Sequence, residues 1–365
     1  MALPTKTQIS DAIECIDNIL DPNLVGFKTI DGIFGAEMYC GGFCIVFPLE
    51  NNIGKKYAFR VWHQEIDGIK DRIKKISTYL KSVNLPYFVE FDYVQDALNV
   101  SEPSGDQVID AIRMDWITGN NLLKHLDAII TSSDDDALKK QTILELADKF
   151  KEMVISLHEN HISHGDLQHG NIMVTANNDL KLVDYDSVCV PTFTDEIQVT
   201  SGLVGYQHPC RKNVNLLASE KDDYFSEYII YASLLAYSED LSLWEPINDE
   251  DNPRDEYSLL FKESDLQNPL QSQLFQNLRK YNNSTLNELL DVLISVLQQA
   301  DCALLQPIET LFVANKYIEQ PSVVVLDDDF LQDLGPKRNE KPTYKKSQID
   351  VLYDEASARN RYSQN

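Results

Sequence analysis

The chain has 365 residues, 43% of them hydrophobic and 25% charged, enough to build a real core in one large two-part domain or two smaller ones. Its formal net charge is −26, from 58 acidic against 32 basic residues. A surface this acidic repels phosphate backbones and anionic lipid, so neither nucleic acid nor a membrane is an expected partner.

The six cysteines (Cys15, Cys40, Cys44, Cys189, Cys210, Cys302) form no CxxC pair and no ladder of spacings, which suits idle thiols in a reducing cytosol. The N-terminus lacks a basic stretch followed by an apolar one, so no signal peptide is expected. The longest apolar run, 228–237, is roughly half of what a bilayer needs. The expected location is the cytoplasm.

In chain order, Ile9, Ala12, Ile13, Ile16 and Leu20 recur at helical spacing, which predicts a helix over 8–20 that docks on something. The pattern then turns to strands: 27–30, 37–39, 43–49 and 55–62, the last two separated by a turn at "ENNIGK". Ile66, Ile69, Ile73, Ile76 and Leu80 predict a second helix over 66–82. Strands follow at 87–94 and 110–117, with a loop over 99–107. Together these describe a small, mostly antiparallel sheet with one crossing helix.

After "ITGNN" the character becomes helical, with a long amphipathic helix over 139–160 and further helices over 223–237, 266–280 and 284–299. From about 320 the chain is polar and reads as a linker or tail. The expected fold class is α+β, with a helical extension (1–26), a β-rich part (27–113), a larger helical part (114–318) and a tail (319–365). The first helix and the tail are candidate docking elements for a partner.

One stretch concentrates chemistry. "HISHGDLQHGNIMV" (161–174) begins where the long helix stops, and "NIMV" and "LKLVDY" read as a hairpin. Asp166 and Asn171 therefore share a loop, and Asp184 ends the neighbouring strand. Hard oxygen donors gathered in this way suit Mg²⁺, which takes one or two carboxylates and completes its shell with water and substrate phosphates.

"HGDLQHGN" resembles the catalytic loop of the protein-kinase-like superfamily, and "DYD" (184–186) stands where protein kinases carry D-F-G. The resemblance covers roughly residues 30–315. It implies a bilobal fold, with a small antiparallel-sheet N-lobe and a larger helical C-lobe, that binds ATP and Mg²⁺ and phosphorylates a protein substrate. Asp166 would orient the acceptor hydroxyl and take its proton, while Asn171, Asp184 and Asp186 would hold metal. "YCGGFCIVF" (39–47) resembles the Gly-rich loop through Gly41, Gly42, Phe43 and Val46, with Tyr39 and Cys44 in place of the outer glycines. "YAFR" (57–60) resembles the V-A-I-K strand, so Ala58 and Arg60 would face the nucleotide, with arginine in the lysine's place. "RMDWITG" resembles the hinge, where Met114 would guard the back of the pocket and the backbone of Asp115 and Ile117 would face adenine.

The departures are informative. The crossing helix has no mid-helix glutamate to pair with Arg60; Glu65, Asp67 and Asp71 all lie near its start. Gly165 precedes Asp166 where many regulated kinases carry arginine, which argues against control by a phosphate on the following segment. "GYQHP" closes that segment with Pro209, but His208 and Cys210 flank it, so the ion pair usual there is expected to be missing. Asp223, opening an apolar helix, would anchor the catalytic loop from below. The resemblance favours an atypical Ser/Thr protein kinase of bacterial type. A small-molecule kinase of the aminoglycoside or choline type stays open, on "HGD", "DYD" and Gln168. So does a nucleotide-binding pseudokinase, on Arg60 and the thin glycine loop.

Overall fold

The strands from Phe27 to Asp115 assemble because alternate residues are apolar on both faces, so each face must be covered. The computed structural model describes residues 3–316 apart from 33–34, 102–104, 194–195, 210, 212–215, 246, 248–256 and 300–304. Helix α1 (Lys6–Glu14) is followed by β1 (Phe27–Thr29), a two-residue pair β2 (Asp31–Gly32) and β3 (Gly35–Ala36), then β4 (Tyr39–Cys40), β5 (Cys44–Asn51) and β6 (Lys56–Trp62). Helix α2 (Ile69–Val83) precedes β7 (Phe91–Val100) and β8 (Gln107–Asp115). The main sheet is antiparallel, in the order β1-β5-β6-β8-β7, with β4 added on β5.

Register decides the two faces. Val46 stands opposite Arg60, Arg60 opposite Ile112, and Ala58 opposite Met114, so these side chains share one face. Ile45, Phe47, Phe59, Val61 and Ala111 fall on the other face, where they pack with Ile9, Ala12 and Ile13 of α1. The apolar side of the N-terminal helix is thus spent inside the fold. The helix is also shorter than its spacing predicts. Cys15 turns extended, and the Asn18 side chain caps the Ala12 carbonyl, which leaves Ile16 and Leu20 exposed.

The remaining elements are largely helical: β9 (Gly119–Asn121), α3 (Leu122–Ile130), α4 (Asp136–Glu159), the hairpin β10 (Ile172–Thr175) and β11 (Leu180–Leu182), α5 (Tyr224–Glu239), α6 (Glu263–Gln267), α7 (Gln273–Leu278), α8 (Ser284–Leu297) and α9 (Glu309–Lys316). The helix predicted over 266–280 is broken in two. Pro269 cannot continue α6, and Ser272 caps α7 by accepting from the Phe275 amide. Strand β7 runs past its predicted end, through a bulge between Val94 and Leu98, and takes Asn99 and Val100 from the expected loop. Helix α5 is buried from Phe225 to Tyr237 and forms the axis against which α4 and α8 pack. Residues up to Lys316 form one compact unit. The predicted tail, 319–365, lies outside the described residues.

One contact ties α9 to this core. His158 on α4 sits between Glu227 of α5, at 2.8 Å, and Glu309 of α9, at 2.9 Å. Burial works against the His158 charge, but Glu227 and Glu309 together push it up to about 9. Its folded pKa stands above its ordinary value, so this stabilisation is full below about pH 6.5 and is lost as pH rises through about 9. Burial pushes the Glu227 carboxyl up to about 7, which gives a loss of the same sign. Thermal melts between pH 6.5 and 9 should therefore show a loss on the order of 1–2 kcal/mol, a few degrees, that is flattened in the double variant His158→Gln/Glu227→Gln.

Candidate functional site

Burial forces the loop after α4 into a fixed path. The backbone amides of His164 and Gly165 both donate to the carboxylate of Asp223, just ahead of α5. The His164 ring donates from Nε2 to the Val183 carbonyl, 2.8 Å away. Residues 163 and 189 pair by two backbone hydrogen bonds, so the loop carrying Asp166 and the segment after β11 run side by side. Gly165 is required at this crossing: its φ is +77°, and a Cβ would fall on the Ser187 carbonyl oxygen. Gly165→Ala should cost about 2–4 kcal/mol in urea denaturation, from left-handed backbone strain plus overpacking.

Asp166, half-buried, accepts the Leu203 amide on Oδ1 at 3.2 Å. The Asn171 side chain donates from Nδ2 to the Asp166 carbonyl at 2.8 Å and to Asp166 Oδ2 at 3.3 Å. Burial pushes the Asp166 carboxyl up, with His164 pulling the other way. A carboxylate held in this state is a better proton acceptor than one in water.

Asp184 follows β11 in the left-handed region, at φ +69°, a costly conformation for a residue with a side chain. The ring of Tyr185 is buried against Phe88 and Phe91. Its hydroxyl donates to the Leu182 carbonyl and accepts from the Val89 amide of the sheet side. This pins the middle of "DYD" inward and turns Asp184 and Asp186 toward β6.

There Arg60 meets both. Its Nη2 lies 2.5 Å from Asp184 Oδ1 and 2.7 Å from Asp186 Oδ2, its Nη1 2.8 Å from Asp186 Oδ1, and its Nε contacts Cys44 Sγ. Burial opposes this charge, but Asp186 and Asp184 raise the Arg60 pKa well above its ordinary value, so the guanidinium stays charged. The partner absent from the crossing helix is therefore supplied by the third residue of "DYD". Asp186, expected as a metal ligand, is buried with both oxygens on Arg60. Asp184 is half-exposed, and its Oδ2 makes no hydrogen bond among the described residues.

These groups face a cleft of about 250 Å³ lined by Gly42, Phe43, Asp166, Gln168, Asp184 and Asp186, and closed on one side by residues 199–203. Gly41 lies beside it, with its amide bonded to the Cys44 carbonyl. Val46, Ala58 and Met114 share the Arg60 face of the sheet but are not part of this lining; Asp115 ends β8 and Ile117 follows it, and the Asp115 carboxylate is held by Lys55 at 2.8 Å. Gln168 turns back to accept the Gly170 amide.

Among the described residues, no cluster of three or more His, Cys, Asp or Glu is arranged to hold a metal ion. Asp184 nevertheless offers a carboxylate at the cleft, and Asn171, buried beside Asp166, would supply a second oxygen for an ion that takes the rest of its shell from water and phosphate.

Three features were not anticipated. Arg72 of α2 is buried and bonded to the segment after Asp186; the signal was legible, since 72 falls within the apolar stripe of Ile69, Ile73 and Ile76. Gln198 joins that segment to Asp222 at 2.7 Å. Arg211 and Asp222 form a buried ion pair at 3.2 Å, so the segment's end does carry one, with the basic partner on the segment. Cys210 lies outside the described residues. No family model and no curated protein matches the chain. What the cleft does is read from its own side chains.

Proposed function

We propose that this chain is an ATP- and Mg²⁺-dependent phosphotransferase of bilobal, protein-kinase-like architecture, acting as a Ser/Thr protein kinase. The observation that carries the reading is the meeting of Asp166 and Asp184 at one cleft, with Asn171 bonded to Asp166 and Arg60 bonded to Asp184 from the buried side. Arg60 and Ala58 would face the nucleotide, Met114 would back its pocket, and the backbone of Asp115 and Ile117 would lie beside the base. Asn171 and Asp184 would hold the metal, which neutralises phosphate charge when bound. Asp166 would position the acceptor hydroxyl and receive its proton on a carboxylate whose Oδ1 accepts the Leu203 amide at 3.2 Å and whose Oδ2 accepts the Asn171 side chain at 3.3 Å. Residues 199–203 form the wall against which an acceptor segment would lie.

The acidic surface argues against nucleic-acid or membrane partners, and no described helix is long and apolar enough to cross a membrane. The described cysteines, Cys15, Cys40, Cys44 and Cys189, are free thiols, which supports a cytoplasmic setting. A second reading, nucleotide binding without turnover, is favoured by the hold of Arg60 on Asp184.

The two readings, and the small-molecule alternative, separate in one experiment. The purified chain is incubated with Mg²⁺ and γ-labelled ATP, alone, with generic protein acceptors, and with amino-sugar or choline-type acceptors. Label on protein supports the kinase. Label on the small acceptor alone redirects the assignment, and binding without transfer favours the second reading.

A further inference from the structure

We propose that Arg72 is a positioning residue: from the crossing helix it sets the segment after "DYD", and through that segment the Arg60 and Asp166 sides of the cleft, in the arrangement needed for transfer. This rests on the phosphotransferase reading above. Arg72 is buried in the apolar face of α2, between Ile69 and Ile76. Its Nε donates to the Asp186 carbonyl at 2.9 Å; its Nη2 donates to the carbonyls of Ser187 at 3.4 Å and Val188 at 3.2 Å, and to Gln198 Oε1 at 3.1 Å. The guanidinium lies over the Phe193 ring, 4.8 Å from its centre.

Every hydrogen-bonded partner is neutral. A buried cation with no hydrogen-bonded carboxylate is an expensive way to fill a helix face, and burial accordingly pushes the Arg72 pKa down. A leucine or methionine would serve packing alone. What the guanidinium adds is a rigid fork that reads three consecutive carbonyls, which fixes the backbone that carries the Asp186 carboxylate. Asp186 in turn fixes Arg60.

The same fork reaches the other loop. Gln198, held by Arg72, donates to the Ser187 carbonyl at 3.1 Å and to Asp222 at 2.7 Å. Asp222 adjoins Asp223, whose carboxylate takes the amides of His164 and Gly165, directly before Asp166. Val199 and Thr200, which line the cleft, follow Gln198 in sequence. One side chain of α2 thus connects the loops that present Asp186 and Asp166, so a displacement of this helix would be felt at both.

The test uses the full chain with Arg72→Met, which keeps the length and apolar stem but removes the fork, Arg72→Lys, which keeps the charge, and Gln198→Leu, which cuts the link while leaving every residue of α2 in place. Phosphoryl transfer is measured as kcat and nucleotide KM, and backbone amide exchange is followed over 186–200. In Arg72→Met, kcat should fall by about 10–100-fold with KM within about threefold, and amides 186–200 should exchange faster, because misplacement on the order of 1 Å has effects of this size. Lysine should not restore kcat, and Gln198→Leu should lower it in the same direction. Unchanged kcat and unchanged exchange in both Arg72→Met and Gln198→Leu would overturn the proposal. If the wild-type chain transfers no phosphate, the phosphotransferase reading fails instead, and the exchange measurement alone decides whether Arg72 orders the segment.

Discussion

Asp166→Asn is expected to lower the rate of phosphoryl transfer by about 10²–10⁴-fold while shifting the melting temperature little. The amide keeps an oxygen to accept the Leu203 N–H, and the backbone contacts of the loop run through Asp223 and Asn171, which the substitution leaves in place. What disappears is the ability to take a proton, together with the Oδ2 acceptor for the Asn171 side chain, whose Nδ2 keeps the Asp166 carbonyl. Because burial raises the carboxyl of Asp166, wild-type activity should be lost on the acid side at a higher pH than for an ordinary carboxylate. Single-turnover transfer across pH 4–8, with Asp166→Asn alongside, reads both effects.

Arg60→Met has the larger structural consequence, a loss of about 3–5 kcal/mol, since it leaves two carboxylates facing each other with one of them buried. Burial already pushes the Asp186 carboxyl up against the pull of Arg60, so without the guanidinium Asp186 takes up a proton on folding. A folded pKa raised above the unfolded one gives stability below that unfolded value and loses it as pH rises. The deficit of Arg60→Met should therefore be smaller at pH 5 than at pH 8 in urea titrations. The double variant Arg60→Met/Asp186→Leu should recover much of it, since a buried pair replaced by apolar side chains is often neutral in stability. Arg60→Lys keeps the charge but not the fork, and should fall between the two.

Both predictions rest on side chains that differ in how readable they were. Periodicity located the strands around Arg60 and the crossing helix, because apolar alternation and a 3.6-residue stripe are strong local signals. The loop carrying Asp166 and Asn171 was legible from its residue types and its position between a long helix and a hairpin. The partner of Arg60 was not. It lies 126 residues away on Asp186, and only the inward turn of Tyr185 brings that carboxylate to β6. Arg72 stood in plain view within an apolar stripe, where a charged residue is itself a signal. Its partners are backbone carbonyls, however, which carry no trace in a sequence. Helix α1 ended early for a similar reason: the Asn18 side chain that caps it acts on a carbonyl six residues back.

The claim that joins these observations is that Asp166, Asn171 and Asp184 form a working phosphoryl-transfer site. Its most direct measurement is the transfer of label from γ-labelled ATP to protein by the purified chain, with and without Mg²⁺ and beside Asp166→Asn. The expected result is Mg²⁺-dependent label on protein hydroxyls that is absent in the variant. Nucleotide bound by the wild-type chain with no label on any acceptor, or equal labelling by Asp166→Asn, would contradict it.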